Sequence, residues 1–283
     1  MTAEWWVIPV VLVAALSHAT WNAFVKSSAD RLFTMTTLMA TSGLIYSPVL
    51  FLVDFPVPAA WPFLLASVVL HIGYNVGLVW AYKHGDLSTA YPIARGSSPM
   101  MVALGAWVFA GEALSPLAFF GISLVSCGIS MFAFERGLPR GEHLKPFGIA
   151  ILVAMCIASY TVVDGSGLRL TSTPFSYIAW HFVLDAFPLL TWALVTRRDA
   201  YLAHFRRWWK RDMTGGLFSA LAYSLVLFVM SFSGMASVSA LRETSVLFAV
   251  AIGAIKLQET FGLYRWTAAF VVTAGVIIMQ IGG

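Results

Sequence analysis

Long apolar runs recur along nearly the whole chain, and they predict ten membrane-spanning helices. Each run is close to the ~20 residues that a helix needs to cross the hydrocarbon core of a bilayer. Short polar segments separate the runs, so successive helices are expected to be antiparallel. The predicted spans are 5–25, 33–53, 61–82, 88–110, 116–134, 146–165, 174–195, 214–233, 236–256 and 262–281.

The composition supports a membrane protein. Of the 283 residues, 59% are hydrophobic and 11% are charged, and the mean hydropathy is +0.82, whereas soluble domains are roughly 25% charged. The net charge of +4 lies in short loops, so it bears on topology and does not indicate nucleic-acid binding. The one longer connection, 196–213, contains RRWWKR and is predicted to be a loop at the headgroup surface.

Basic residues predict the orientation in a bacterial-type inner membrane. Fourteen of the 17 lysines and arginines fall in or beside the loops after spans 1, 3, 5, 7 and 9, and Arg169 alone falls in a loop on the opposite side. Positively charged loops face the cytoplasm. Both termini are therefore predicted to be periplasmic.

The two halves of the chain resemble each other. Aligning Glu112 with Glu259 brings Arg95 onto Arg242, and a serine follows each arginine three residues later. This match predicts two five-helix repeats, 1–140 and 141–283. Because each repeat has an odd number of spans, the second is inverted relative to the first, which is a common plan among transporters. The predicted fold class is an all-α membrane protein with these inverted repeats around a central cavity.

Polar stripes within the spans predict which residues face that cavity. Residues 71–82 read HIGYNVGLVWAY, and His71, Tyr74 and Asn75 share one helical face. Polar groups inside a membrane are costly and tend to face a bundle interior or wet cavity. The predicted substrate-binding residues are His18, Trp21, Asn22, His71, Tyr74, Asn75, Tyr82, Tyr91, Arg95, Ser98, Tyr160, His181, Tyr223, Arg242, Glu243 and Ser245.

Structural roles remain open for several of these residues. The asparagines could instead join neighbouring helices by hydrogen bonds, and the histidines could be packing residues. Arg95 and Arg242 could form salt bridges across the bundle; their positions in spans 4 and 9 predict that they lie near opposite mouths of the cavity. Pro92 and Pro99 predict a bend in span 4, because proline removes a backbone hydrogen bond. Glu112, at a helix end, is expected to cap or pair locally, like Glu259.

No enzyme motif competes with a transport function. The chain has no HExxH, GxSxG or Walker sequence. The sequence therefore predicts a protein that is not an enzyme, with no cofactor, no metal site and no nucleic-acid partner. Its expected partners are a small-molecule substrate and the lipid bilayer, and a monomeric state is compatible with the sequence.

The stretch YPIARGSSPMMVALGAWVFAGEALSPLAFFGISLVSCGISMF resembles the EamA type of the drug/metabolite transporter superfamily. That family has a proline-containing helix, a GE pair at its end and a glycine-rich closing helix. The matching residues are Pro99, Gly111, Glu112, Gly121 and Gly128, with Glu259 and Gly275 in the second half, where Gln258 replaces the glycine of the GE pair.

The resemblance implies ten helices in inverted repeats, alternating access, and export or exchange of small metabolites. It is greatest to bacterial amino-acid exporters, including the aromatic amino-acid group. The sequence agrees with such a substrate, since tyrosines and Trp21 offer stacking faces and an arginine could meet a carboxylate. Efflux of lipophilic cations is the alternative, because aromatic faces also bind cations. A membrane scaffold without transport is a third, less favoured interpretation.

Overall fold

The computed structural model describes residues 6–84, 87–135, 144–248, 251 and 262–283, and it is helical throughout with no strand in these ranges. Two short 3-10 segments, Ser47–Phe51 and Pro58–Ala60, precede the third helix. The helices are α1 (Val7–Lys26), α2 (Arg31–Tyr46), α3 (Trp61–His84), α4 (Leu87–Ala110), α5 (Pro116–Phe134), α6 (Leu144–Leu168), α7 (Pro174–Thr196), α8 (Arg198–Met230), α9 (Met235–Arg242) and α10 (Leu263–Gly282).

Seven helices in the described part of the chain are long and apolar enough to cross a membrane. They correspond to α1, α3, α5, α6, α7, α8 and α10. The predicted spans at 33–53, 88–110 and 236–256 are not among them. The first of these spans is divided because α2 ends at Tyr46 and a 3-10 turn containing Pro48 continues the chain.

One expectation about helix continuity was wrong. The segment 196–213 is not a loop, because α8 runs unbroken for 33 residues from Arg198 and includes the RRWWKR sequence. Helix α4 continues through both of its prolines, and the bend expected there stays a prediction. A helix interruption falls in the predicted span 9, where α9 ends at Arg242 and a turn at Glu243 and Thr244 precedes further helix at 245–248.

Helix contacts follow a pattern that repeats between the two halves. In chain order, helices α1–α5 of the first half correspond to α6–α10 of the second. Helix α3 packs on α6, and the corresponding pair, α8 and α1, also packs together. Likewise α2 packs on α8, and α7 packs on α3. The pairs α2–α7 and α5–α10 each join helices that occupy equivalent positions in the two halves.

Glycines allow α5 and α10 to pack with their backbones in contact. A Cβ atom on Gly121 would lie 2.7 Å from the Gly275 carbonyl oxygen, and one on Gly275 would lie 2.8 Å from the Gly121 carbonyl oxygen. Small residues serve this purpose in membrane helices, where close van der Waals packing replaces the hydrophobic effect. The glycines that carry the family resemblance thus have a structural role.

Trp6, near the start of the chain, and Gly282, near its end, lie at the same end of the helix bundle. Trp6 packs against Phe232, at the end of α8, with ring centroids 5.9 Å apart. At the other terminus, the Ser115 hydroxyl, just before α5, donates to the Gly282 carbonyl oxygen. The connections after α4 and α8 are therefore at the end of the bundle that carries the termini.

The Gly111-Glu112 pair also lies at this end. Gly111 has φ 66°, a left-handed conformation that favours glycine and ends helices. This turn directs Glu112 to α9, where its carboxylate accepts from the Met235 N–H at 2.9 Å and pairs with Arg169. Glu112 thus caps a helix and forms an ion pair, as expected, but its partners are in the other half of the chain and not local. Glu259 lies outside the described residues.

A polar network closes the opposite end of the bundle. Asp212, in α8, is fully buried and lies 2.7 Å from Arg211 Nη2 and 2.8 Å from His204 Nε2. Thr34, in α2, donates to Asp212 at 3.2 Å, and Ser28 lies 2.7 Å from Thr34. These contacts hold the α1–α2 connection against the N-terminal part of α8.

Candidate functional site

A narrow cavity lies in the middle of the bundle between helices of both halves. Its volume is about 50 Å³, which is room for only a few water molecules at roughly 10–15 Å³ each. The lining residues are Ala14, His18, Trp21, Met39, His71, Tyr74, Asn75, Tyr160, His181, Phe182, Asp185, Ser219, Ala222, Tyr223 and Arg242.

Tyr160, in α6, is the centre of an aromatic cluster on the cavity wall. Its ring stacks on His71 with centroids 4.0 Å apart. Tyr74 and Tyr223 meet it edge-on at 5.7 Å and 5.8 Å. Tyr160 therefore lies between Tyr74 of the first half and Tyr223 of the second. The Arg242 guanidinium carbon lies 5.9 Å from the centre of the same ring, within range of a cation–π interaction.

Two arginines meet one carboxylate beside the cavity. Glu243 Oε2 lies 2.6 Å from Arg95 Nε, and Oε1 lies 3.6 Å from Arg242 Nη2. Ser98 donates to Glu243 at 3.4 Å, and Arg95 Nη2 donates to Ser245 at 3.2 Å. Two positive charges therefore share one negative charge. The arginines lie together and not at opposite mouths of the cavity, because Glu243 draws both guanidinium groups toward it.

Some buried polar atoms on the cavity wall have no hydrogen-bond partner among the described residues. They include Nε and Nη2 of Arg242, Oδ1 of Asp185 and Nε2 of His18. Each of these residues is at least nine-tenths buried. Buried polar atoms are normally satisfied, so a movement of the cavity wall that exposed these atoms would let a solute or water bind them.

Asp164 forms a second polar centre next to the cavity. This fully buried carboxylate accepts hydrogen bonds from Tyr177 at 2.9 Å and from Tyr223. His181 Nδ1 lies 3.9 Å from Asp164 Oδ1. His71 approaches from α3, and one ligand atom from each of His71, Asp164 and His181 lies within 4.8 Å of the other two.

The structure brings most of the predicted site residues together. Nine of them line the cavity: His18, Trp21, His71, Tyr74, Asn75, Tyr160, His181, Tyr223 and Arg242. Arg95, Ser98, Glu243 and Ser245 do not line it and instead form the ion-pair network behind Arg242. Asn22 is buried but is not part of the lining. The side chains of Tyr82 and Tyr91 lie outside the described residues.

Several residues of the site were missed from the predicted set. Asp185 lines the cavity and Asp164 adjoins it, and both belong to polar stripes on α7 and α6 that the sequence makes visible. Ser67 lies one helical turn before His71, so the stripe on α3 could have been extended to include it. Met39 and Ser219 carry no such signal, because single residues of these types are common in any membrane helix.

Comparison with known proteins agrees with this architecture. The sequence model of the EamA-like transporter family matches residues 5–134 and again 145–281. An uncharacterized transporter from Synechocystis sp. is 25% identical over 202 residues, which cover 65% of this chain and 61% of that relative's length. A solved crystal structure of a protein with 13% identity covers 96% of this chain and 95% of its own, with a TM-score of 0.77, so the two share a fold.

Proposed function

Because this chain belongs to the EamA-like transporter family, we propose that it exports or exchanges zwitterionic amino acids, aromatic ones included, by alternating access. Family membership makes the protein a membrane transporter of small molecules. The narrower substrate class rests on one observation. Arg242 and Asp185, whose side chains can carry opposite charges, line the same cavity, and each has a buried side-chain atom with no hydrogen-bond partner within the described ranges.

Arg242 supplies the positive pole of the cavity. Its counter-charge, Glu243, lies closer to Arg95 than to Arg242. The three side chains together carry a net charge of one positive unit, and Arg242 is the one of the three that lines the cavity. A guanidinium binds a carboxylate through charge-assisted, often bidentate, hydrogen bonds. This pole therefore suits the carboxylate of an amino acid.

Asp185 supplies the negative pole. It lies on α7, one turn after His181, and its Oδ1 has no described hydrogen-bond partner. A buried carboxylate oxygen is costly unless it is hydrogen-bonded or paired with a positive charge. An ammonium group in the cavity would satisfy it. Since one substrate group compensates each pole, a zwitterion leaves neither charge unpaired.

Aromatic side chains between the poles suit an aromatic or other apolar substrate group. Tyr160, Tyr74 and Tyr223 form one wall, and Trp21 packs against His18 with ring centroids 4.7 Å apart. Stacking against such faces is worth about 0.5–1.5 kcal/mol per pair beyond buried area. The aromatic wall would favour large amino acids over small ones.

The helix packing supports movement of two inverted repeats, 1–140 and 141–283, around this cavity. Replacing each helix by its counterpart in the other half turns the contact α3–α6 into the contact α8–α1, and both contacts are present. Such paired contacts are those expected of inverted repeats. The cavity of about 50 Å³ has room for only a few water molecules. Binding of an amino acid would therefore require the walls to move apart, as alternating access provides.

A counterflow assay with purified protein in proteoliposomes tests the substrate class. Vesicles loaded with unlabelled L-phenylalanine should accumulate labelled phenylalanine. Phenethylamine, which lacks the carboxylate, and 3-phenylpropionate, which lacks the ammonium group, should compete poorly. Arg242→Gln should abolish uptake or raise its KM, whereas Arg207→Gln, at an exposed position of α8, should not.

Other outcomes would point to other functions. Competition by phenethylamine and by tetraphenylphosphonium, with no effect of phenylalanine, would replace this proposal by efflux of lipophilic cations, for which Asp164 and Asp185 would be the counter-charges. If no amino acid and no cation shows counterflow while the protein is folded in the vesicles, the proposed substrate classes are both wrong.

A further inference from the structure

We propose that His71, Asp164 and His181 bind a transition-metal ion of the zinc class. The three side chains come from α3, α6 and α7, and all are nine-tenths buried or more. One ligand atom from each lies within 4.8 Å of the other two. This site was not predicted from the sequence, because its ligands lie on three helices and form no motif along the chain.

The charge of the site calls for a cation. Asp164 is fully buried, and its ion-pair contact among the described residues is a histidine 3.9 Å away, with no lysine or arginine within 4.0 Å. Its two described hydrogen bonds come from neutral tyrosine hydroxyls. Buried carboxylates are typically paired with a positive charge or coordinate a metal. A divalent ion would compensate this carboxylate directly.

The ligand types select the class of metal. Imidazole nitrogen suits zinc, copper and nickel, whereas magnesium and calcium prefer shells of oxygen ligands. In a tetrahedral zinc site with bonds of roughly 2.0–2.2 Å, ligand atoms are about 3.4 Å apart. Separations of up to 4.8 Å therefore need a contraction of up to about 1.4 Å, within reach of side-chain rotations. Three protein ligands leave a fourth position, as in zinc sites that bind water or a solute.

Neighbouring hydrogen bonds hold the ligands in place. The Ser67 hydroxyl lies 3.2 Å from His71 Nδ1 and 3.3 Å from His181 Nδ1, so it bridges the two rings. A ring that keeps this hydrogen bond would bind the metal through its Nε2. Tyr177 and Tyr223 fix the two carboxylate oxygens of Asp164. Such outer partners orient the ligands of metal sites, and losing one typically lowers metal affinity about 10–100-fold.

The proposal is tested on the purified full-length protein, without a histidine tag, after incubation with zinc chloride and desalting. Metal content measured by mass spectrometry should be one equivalent of zinc, and magnesium in excess should not displace it. Asp164→Asn and His181→Ala should retain no zinc. Ser67→Ala should bind zinc with a dissociation constant raised about 10–100-fold, measured by titration calorimetry.

His18→Ala is the matched control, because it removes another buried histidine from the same cavity and should keep its zinc. Cobalt provides a measurement on the native protein that needs no variant. Cobalt bound in a four-coordinate site of nitrogen and oxygen ligands should absorb strongly in the visible range. The six-coordinate cobalt ion in water absorbs only weakly there. Native protein that retains no zinc and gives no such absorption would overturn the site. Equal zinc retention by native protein, Asp164→Asn and His181→Ala would show an adventitious ion only. Neither result depends on whether the protein transports amino acids.

Discussion

Arg95 Nε lies 2.6 Å from Glu243 Oε2, and both side chains are almost completely buried. This ion pair connects α4 to the point where α9 ends, because Glu243 is the first residue after that helix. The same carboxylate lies 3.6 Å from Arg242, the residue that faces the cavity. The pair therefore links the interface between α4 and α9 to the proposed substrate site.

Replacing Glu243 by glutamine should strongly destabilise the protein. The change leaves two buried guanidinium groups without their shared counter-charge, and removing one partner of a buried ion pair costs about 3–5 kcal/mol. Thermal unfolding in detergent measures the effect. Glu135→Gln is the matched control, since Glu135 pairs with Arg265 at 3.0 Å but is 33% exposed, and exposed pairs contribute only about 0–1 kcal/mol. Equal unfolding temperatures for the two variants would contradict this account.

Replacing Tyr74 by alanine should raise the KM for transport or abolish flux, because it removes one face of the aromatic wall while leaving the helix intact. Tyr74→Phe removes only the hydroxyl group and should have a smaller effect. Val69, on the same helix, is 67% exposed and supplies the control, with normal transport expected for Val69→Ala. Normal flux in Tyr74→Ala, with a defect in Val69→Ala, would mean that the substrate pathway lies elsewhere.

Replacing Gly275 by alanine should force α5 and α10 apart. The added Cβ would lie 2.7 Å from the Val125 nitrogen, a distance that requires the backbones to shift, and overpacking of this kind costs about 1–3 kcal/mol. A lower unfolding temperature is the expected result. In Gly148→Ala the new Cβ would meet nothing within 4 Å, so that variant should unfold at or above the native temperature. The close-packing interpretation fails if Gly275→Ala is as stable as Gly148→Ala.

A reporter that is active only in the periplasm should be active when fused after Gly283. The expectation combines the structure, in which Trp6 and Gly282 lie at one end of the bundle, with the excess of basic residues in the loops at the other end. The same reporter inserted after Ser27, between α1 and α2, should be inactive. A well-expressed fusion with the reverse pattern would invert the topology.

The sequence by itself determined that the chain is a helical membrane protein of the EamA type. Apolar runs of membrane-spanning length and polar stripes within them are local signals, and the stripe containing His71 and Tyr74 does face the cavity. Helix ends followed local chemistry too: Asp30 caps α2 and Ser115 caps α5, each accepting from a backbone N–H at 3.0 Å.

Only the tertiary structure decided how the charges pair. The sequence places Arg95 and Arg242 in equivalent positions of the two halves, but it does not indicate that Glu243 draws both toward one point while only Arg242 lines the cavity. Ion-pair energies depend on distances between helices. These distances are set by packing contacts between residues that are far apart in the sequence. For the same reason the grouping of Asp164 with His71 and His181 became visible only when three helices were placed together.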